Sequence, residues 1–163
     1  MTQNPPGFDP IPVDEYEPQL LSTKELLDRY WPYAKPLLER VVKEAMHGEL
    51  GIEDIYRKVS AGEFFIFVFK CDKGIVPSVK LAIVLEVIKY PQMAAMNVVA
   101  LGGEQLFVFH KRFWAMLTGW AYMNGIKVFE CSVAPAMQRV IERFGFKKTY
   151  ARMRYDLLEG NHE

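Results

Sequence analysis

Gly102-Gly103 stand between a mostly apolar, strand-like stretch (Met96 to Leu101) and a helix-like pattern that runs through His110, Lys111 and Arg112 to Trp114. Strand, glycines, helix is an arrangement that binds phosphate, because the N–H groups of a helix's first turn point outward at the positive end of its dipole. Two readings are open. The glycines are a cradle to which His110, Lys111 and Arg112 add charge, or they are a left-handed turn that ends the strand. Other chemistry-bearing residues offer less. His47, His110 and His162 share no metal-ligand spacing with Cys71 and Cys131, so no metal site is expected. No serine sits in a nucleophile-elbow context. Both cysteines lie in or beside strand-like stretches and read as buried, reduced thiols.

The elements that must position these residues follow from periodicity. Residues 1–19 carry five prolines and four acids without Lys or Arg, and read as an extended arm. Phe8, Ile11, Val13 and Tyr16 are its candidate anchors on a partner. Ser22 opens a capping box with Glu25. Helical spacing then runs from residue 26 to 45, interrupted by Pro32 and Pro36, which predicts two short helices or one kinked helix. His47 is placed to cap its carbonyls, and Gly48 ends it. A short helix is expected over 52–61. Strands are expected over 64–70, 79–88 and 93–101, joined as an antiparallel meander by short connections. Apolar residues on both faces of the second strand require a sheet covered on both sides. A helix stripe (Leu106, Phe109, Phe113, Leu117, Trp120) closes at Asn124-Gly125, and a strand follows over 127–133. Pro135 opens another helix, ended by Gly145, and a last alternating strand is expected over 147–157. Phe107, Phe113, Trp114 and Trp120 are most simply core; left outside, Phe107 and Trp114 would make a partner patch. The expected organisation is an arm over 1–19, one domain over 20–158 and a tail over 159–163. It gives a mixed α/β sheet, mostly antiparallel, with helices on both faces.

Composition narrows the function. The 163 residues suit one domain, half of them apolar and a quarter charged. Net charge is zero, so the whole chain carries no basic footprint of the nucleic-acid-binding kind. The N-terminus lacks the basic and apolar regions of a secretory signal, and no apolar run approaches the roughly 20 residues that span a bilayer. A cytoplasmic protein, neither secreted nor membrane-bound, is expected.

The element order, with Ala121-Tyr-Met-Asn-Gly125 and Arg143-Phe-Gly-Phe-Lys147, resembles the GNAT acyltransferase superfamily over about residues 22–157. Tyr90-Pro91 between the second and third strands, with the Gly-Gly pair after the third, resembles divergent GNAT-like proteins encoded among tailed-phage structural genes. The resemblance implies a wedge between the fourth and fifth strands, provided a short N-terminal strand, in the region of 11–16, is the first. It also implies an Arg/Gln-x-x-Gly-x-Gly/Ala loop holding the pyrophosphate of acetyl-CoA, which spacing from Gly125 places near 105–109. Those positions are Gln105, Leu106, Phe107, Val108 and Phe109, with side chains where a close anion needs bare backbone. The family's general-acid tyrosine falls on Ile141, which has no proton to give. Its general base is a strand carboxylate. Glu86, interrupting an apolar face where burial would raise its pKa, is the first candidate and Glu130 the second.

Two functions are therefore expected. The first is a GNAT-like scaffold without acetyl transfer and without a cofactor. It would serve head or tail assembly in a phage particle through phage structural proteins or self-association, in the infected cell's cytoplasm or the virion. The alternative is an acetyl-CoA-dependent N-acetyltransferase with an atypical loop around Gly102, Gly103, His110 and Lys111, and Glu86 as base.

Overall fold

The computed structural model describes residues 11–45, 49–104 and 106–158. Phe8, Gln105, His47, Gly48, His162, the tail and the side chain of Phe107 lie outside the description.

Five strands form one sheet in the order β1-β2-β3-β4-β5, with β1 Glu17–Leu20, β2 Phe65–Cys71, β3 Ser78–Lys89, β4 Ala94–Gly103 and β5 Val128–Cys131. The first four pair antiparallel, and β5 lies parallel to β4. Four helices cover it: α1 (Lys24–Ala45), α2 (Ile52–Ser60), α3 (Leu106–Met123) and α4 (Pro135–Glu142). The α/β expectation therefore holds.

The alternation of β2 and β3 sorts their side chains into two cores. On the α3 side Phe67, Phe69, Leu81, Ile83 and Leu85 pack with Phe109, Phe113 and Leu117. On the α1 and α2 side Ile66, Val68, Ala82 and Val84 pack with Leu27, Leu38 and Ile55. α1 is a single helix containing both prolines. Its cap is Thr23 rather than Ser22, the Thr23 hydroxyl accepting from the Leu26 N–H at 3.2 Å. Gly62, Gly125 and Gly145 take positive φ just beyond helix ends, where a Cβ would be strained. No described helix is long and apolar enough to cross a membrane.

Three expectations change. The segment from Ile11 is not a free arm. Tyr16 is 1 % exposed, its ring packed on Phe69 and Phe109 and its hydroxyl 2.6 Å from Ser78 Oγ. Ile11 and Val13 lean on the same core, and Glu17–Leu20 is β1, so the boundary drawn at 19/20 falls inside a strand. Pro18 masked it, and an edge strand tolerates proline. Second, Cys131 is only half-buried on β5, whereas Cys71 is buried on β2; both thiols are free, on strands separated by β3 and β4. Third, the strand expected over 147–157 does not form; the segment joins no sheet, and Met153, Tyr155 and Leu157 are exposed. Alternation alone cannot make a strand without a hydrogen-bonding neighbour.

At the β1 side, Lys70 is buried and charged. Its Nζ donates to Glu17 Oε1 at 2.7 Å and to Asp72 Oδ2 at 2.6 Å, while the Tyr30 hydroxyl donates to Asp72 Oδ2 at 2.8 Å. Burial alone would lower the Lys70 pKa, but the bonds to Asp72 and Glu17 outweigh it and raise it. Burial would raise the Asp72 pKa, and Lys70 and Tyr30 instead hold it below the usual 3.8. A depressed carboxyl stabilises above its unfolded pKa and loses that contribution as pH falls through the folded value. The raised lysine stabilises through neutral pH and loses its contribution only in strong alkali. Asp72→Ala, which leaves Lys70 short of a partner, should cost about 3 kcal/mol in urea unfolding, whereas Lys70→Met should be near neutral. Asp72→Asn should flatten the fall in melting temperature below about pH 4.

Candidate functional site

The site begins with a change in how β4 is paired. Up to Val98 it is flanked on both sides, with Ala95–Val98 in register with Val128–Cys131. Beyond that pair β5 leaves the sheet and leads through Ser132 to α4, while β4 continues to Gly103. On the β3 side Leu85 faces Val98 and Val84 faces Ala100, so Val99 is an extra residue, a β-bulge. A bulge bends and twists its strand, and bulges gather beside functional sites. The β4 edge from Val99 to Leu101 thus faces an open wedge with no strand opposite it among the described residues. The first strand is not in the region of 11–16, where Val13–Glu15 form a 3-10 turn, but β1 at Glu17–Leu20 takes its place and makes these the fourth and fifth strands.

Gly102 and Gly103 are neither cradle nor left-handed turn. Both lie inside β4, opposite Ala82 and Leu81, and neither has positive φ. A Cβ on Gly102 would overlap the Leu37 carbonyl of α1, and one on Gly103 would overlap the Lys80 carbonyl and the Leu81 side chain. Bare backbone here admits protein, not phosphate. The glycines let α1 and β3 approach β4, a need that the sequence could not reveal.

At the loop positions of α3, Leu106 is half-buried, Val108 is 57 % exposed and Phe109 is buried; just beyond them His110 packs its ring edge-on to Phe144 at 4.9 Å. Trp114 is half-buried against Phe129, Phe144 and Phe146, so it forms the α3–α4 seam rather than an outside patch. Lys111 is exposed, and Arg112 donates to the Val13 carbonyl at 3.3 Å. The positions where the nucleotide pyrophosphate of coenzyme A would need bare backbone are thus filled, and that end of the cofactor does not fit here in the family's manner. The amide-bearing arm of an acyl thioester does fit, because the open β4 edge offers backbone groups to an extended chain.

Both carboxylate candidates come together. Glu86 on β3 faces Asn97 on β4, and Asn97 is in register with Glu130 on β5, so the three share one sheet face in a row. All three are half-buried. Asn97 Nδ2 reaches Glu86 Oε2 at 3.5 Å, a long contact, whereas the Tyr90 hydroxyl donates to Glu130 Oε1 at 2.6 Å. That bond raises the Tyr90 pKa, since the carboxylate disfavours phenolate. Neither carboxylate has a cationic partner among the described residues. Asn97 carried no signal in the sequence, and Tyr90 none for this role; register brings Asn97 to the row, and the turn after β3 brings Tyr90. Ile141, in place of the family tyrosine, is half-buried on α4. Burial pushes the Cys131 thiol up, away from thiolate chemistry. No group of three metal-ligating residues occurs among the described residues. A separate cavity, about 290 Å³, is lined by Ser22, Thr23 and Tyr56 and shares no residue with the wedge.

No protein-family model and no curated protein sequence matches the chain. Solved structures do match. An aminoglycoside acetyltransferase from an uncultured soil metagenomic sample, in complex with sisomicin, is similar with a TM-score of 0.65 at 10% identity, over 88% of this chain and 97% of that one. A predicted acetyltransferase with acetyl-CoA from Clostridium acetobutylicum gives 0.62 at 11%, over 90% and 99%. Glucosamine-6-phosphate N-acetyltransferase from Arabidopsis thaliana gives 0.58 at 10%, over 86% and 99%. The chain has the GNAT fold, the architecture of these N-acetyltransferases.

If Gly102 serves packing, Gly102→Ala should lower unfolding free energy by about 1–3 kcal/mol, as overpacking against a backbone carbonyl does. Urea denaturation measures it; an unchanged midpoint would mean that the glycine faces open space.

Proposed function

We propose that this protein is an N-acyltransferase that moves an acyl group from a thioester, acetyl-CoA being the simplest, to a cationic amine. The observation that carries the reading is the bulge at Val99 with β5 diverging beside it, which leaves a strand edge open next to a row of carboxylates. The bound thioester supplies an activated acyl carbon. Backbone N–H groups on the open β4 edge are the available donors to its carbonyl oxygen as charge develops. Glu86 and Glu130, without cationic partners among the described residues, attract an ammonium. Glu130, next to the divergence and held by Tyr90, takes the proton as general base. The free amine attacks the carbonyl carbon, the C–N bond forms and the C–S bond breaks. No acid is required from position 141, because a thiolate is a stable leaving group that solvent protonates.

A second reading, a non-catalytic scaffold in the assembly of a phage particle, is favoured by Ile141 and by Leu106, Val108 and Phe109 at the loop positions. The two separate on thiol release from acetyl-CoA or acetyl-pantetheine with spermidine as acceptor, followed by a thiol-reactive dye. The acyltransferase reading expects turnover that falls about 100-fold in Glu130→Gln, within the range for a lost general base, with the donor KM held within twofold. No thiol release above the spontaneous rate would leave the scaffold reading.

A further inference from the structure

Zero net charge conceals a division. Residues 106–155 carry nine Lys and Arg against two acids, Glu130 and Glu142, while the rest of the chain is acidic. In the structure this stretch is α3, β5, α4 and the segment after them, the half of the fold that borders the wedge. Lys111, Arg139, Lys147, Lys148 and Arg152 are exposed, and no acid pairs with any of them among the described residues. Lys111 and Lys147 adjoin one seam in sequence. His110, beside Lys111, touches Phe144, and Phe146, beside Lys147, touches Trp114. Elsewhere most charges are matched, as in Lys70–Asp72, Lys73–Glu15 and Lys80–Glu104.

This face must be set against the loop. An open β4 edge suits an acyl-pantetheine arm, yet Leu106, Val108 and Phe109 occupy places where the pyrophosphate of free coenzyme A needs bare backbone. The arm is accommodated and the nucleotide is not. A donor that carries the same arm on an acidic protein resolves both facts: its surface meets the basic seam, and no nucleotide has to be cradled. We propose that the acyl donor is an acidic carrier protein bearing its acyl group as a thioester on a phosphopantetheine arm, docked on the α3–α4 seam. The inference rests on the acyltransferase reading for its chemistry. In the transfer the amine nitrogen bonds to the acyl carbon, the C–S bond breaks, the sulfur leaves on the carrier's arm, and the amine's proton passes to Glu130.

Three donors with the same thioester test it: an acetylated bacterial acyl carrier protein, acetyl-CoA and acetyl-pantetheine, each with spermidine. The carrier should give kcat/KM at least about tenfold above acetyl-CoA, falling steeply between ~50 and ~300 mM salt as exposed charges are screened. Lys147→Glu with Lys148→Glu should cut use of the carrier about tenfold and leave acetyl-pantetheine within twofold. Acetyl-CoA serving as well as the carrier would overturn the proposal and leave the acyltransferase reading standing, as would equal losses on both donors in the double variant. Fluorescence anisotropy of labelled holo-carrier needs no turnover. Salt-sensitive binding that the double variant loses, with no donor reacting, would support a carrier-docking face but overturn the donor assignment together with the acyltransferase reading. No binding, or displacement of the carrier by a single-stranded oligonucleotide that binds more tightly, overturns it.

Discussion

β4 is held differently along its two halves, and the rest of the structure is arranged around that difference. Its first half is locked between β3 and β5. Its second half is held on one edge by β3 and on one face by α1, and its other edge is open. The bulge at Val99 marks the change. Backbone groups on an open strand edge must find partners in water or in a ligand. Gly102 is part of the same device, because α1 sits close enough over it to leave no room for a Cβ. The packing that fixes α1 thus holds the open edge in place.

Sequence reasoning recovered whatever periodicity encodes. The helix stripes, the three-strand meander and the helix ends at Gly62, Gly125 and Gly145 are local patterns, and the structure contains them. It failed where the deciding fact is tertiary. Residues 11–20 look like a proline-rich arm until Tyr16 finds its pocket between Phe69 and Phe109. Residues 147–157 alternate like a strand but pair with no strand among the described residues. Gly102 and Gly103 raised the question of a phosphate cradle, and the answer lies in Leu37 and Lys80, far away in sequence.

The candidate site divides in the same way. Glu86 and Glu130 were visible as carboxylates on expected strands, but their joining through Asn97 depends on register, and their contrast on Tyr90, a turn residue. The basic stretch was hidden by averaging, since the acidic remainder of the chain, its last eight residues included, cancels it in the whole-chain charge. The fold likeness to N-acetyltransferases, at 10–11% identity in the three cases described, defines the frame, and the side chains set the chemistry.

Amide hydrogen exchange at β4 with and without acetyl-pantetheine tests the central claim, that the edge beyond the bulge is where the arm binds. The account predicts new protection confined to Val99–Leu101, with Ala95–Val98, already paired on both sides, unchanged. Unaltered exchange at Val99–Leu101 under saturating acetyl-pantetheine, or protection appearing elsewhere in the chain instead, would contradict it.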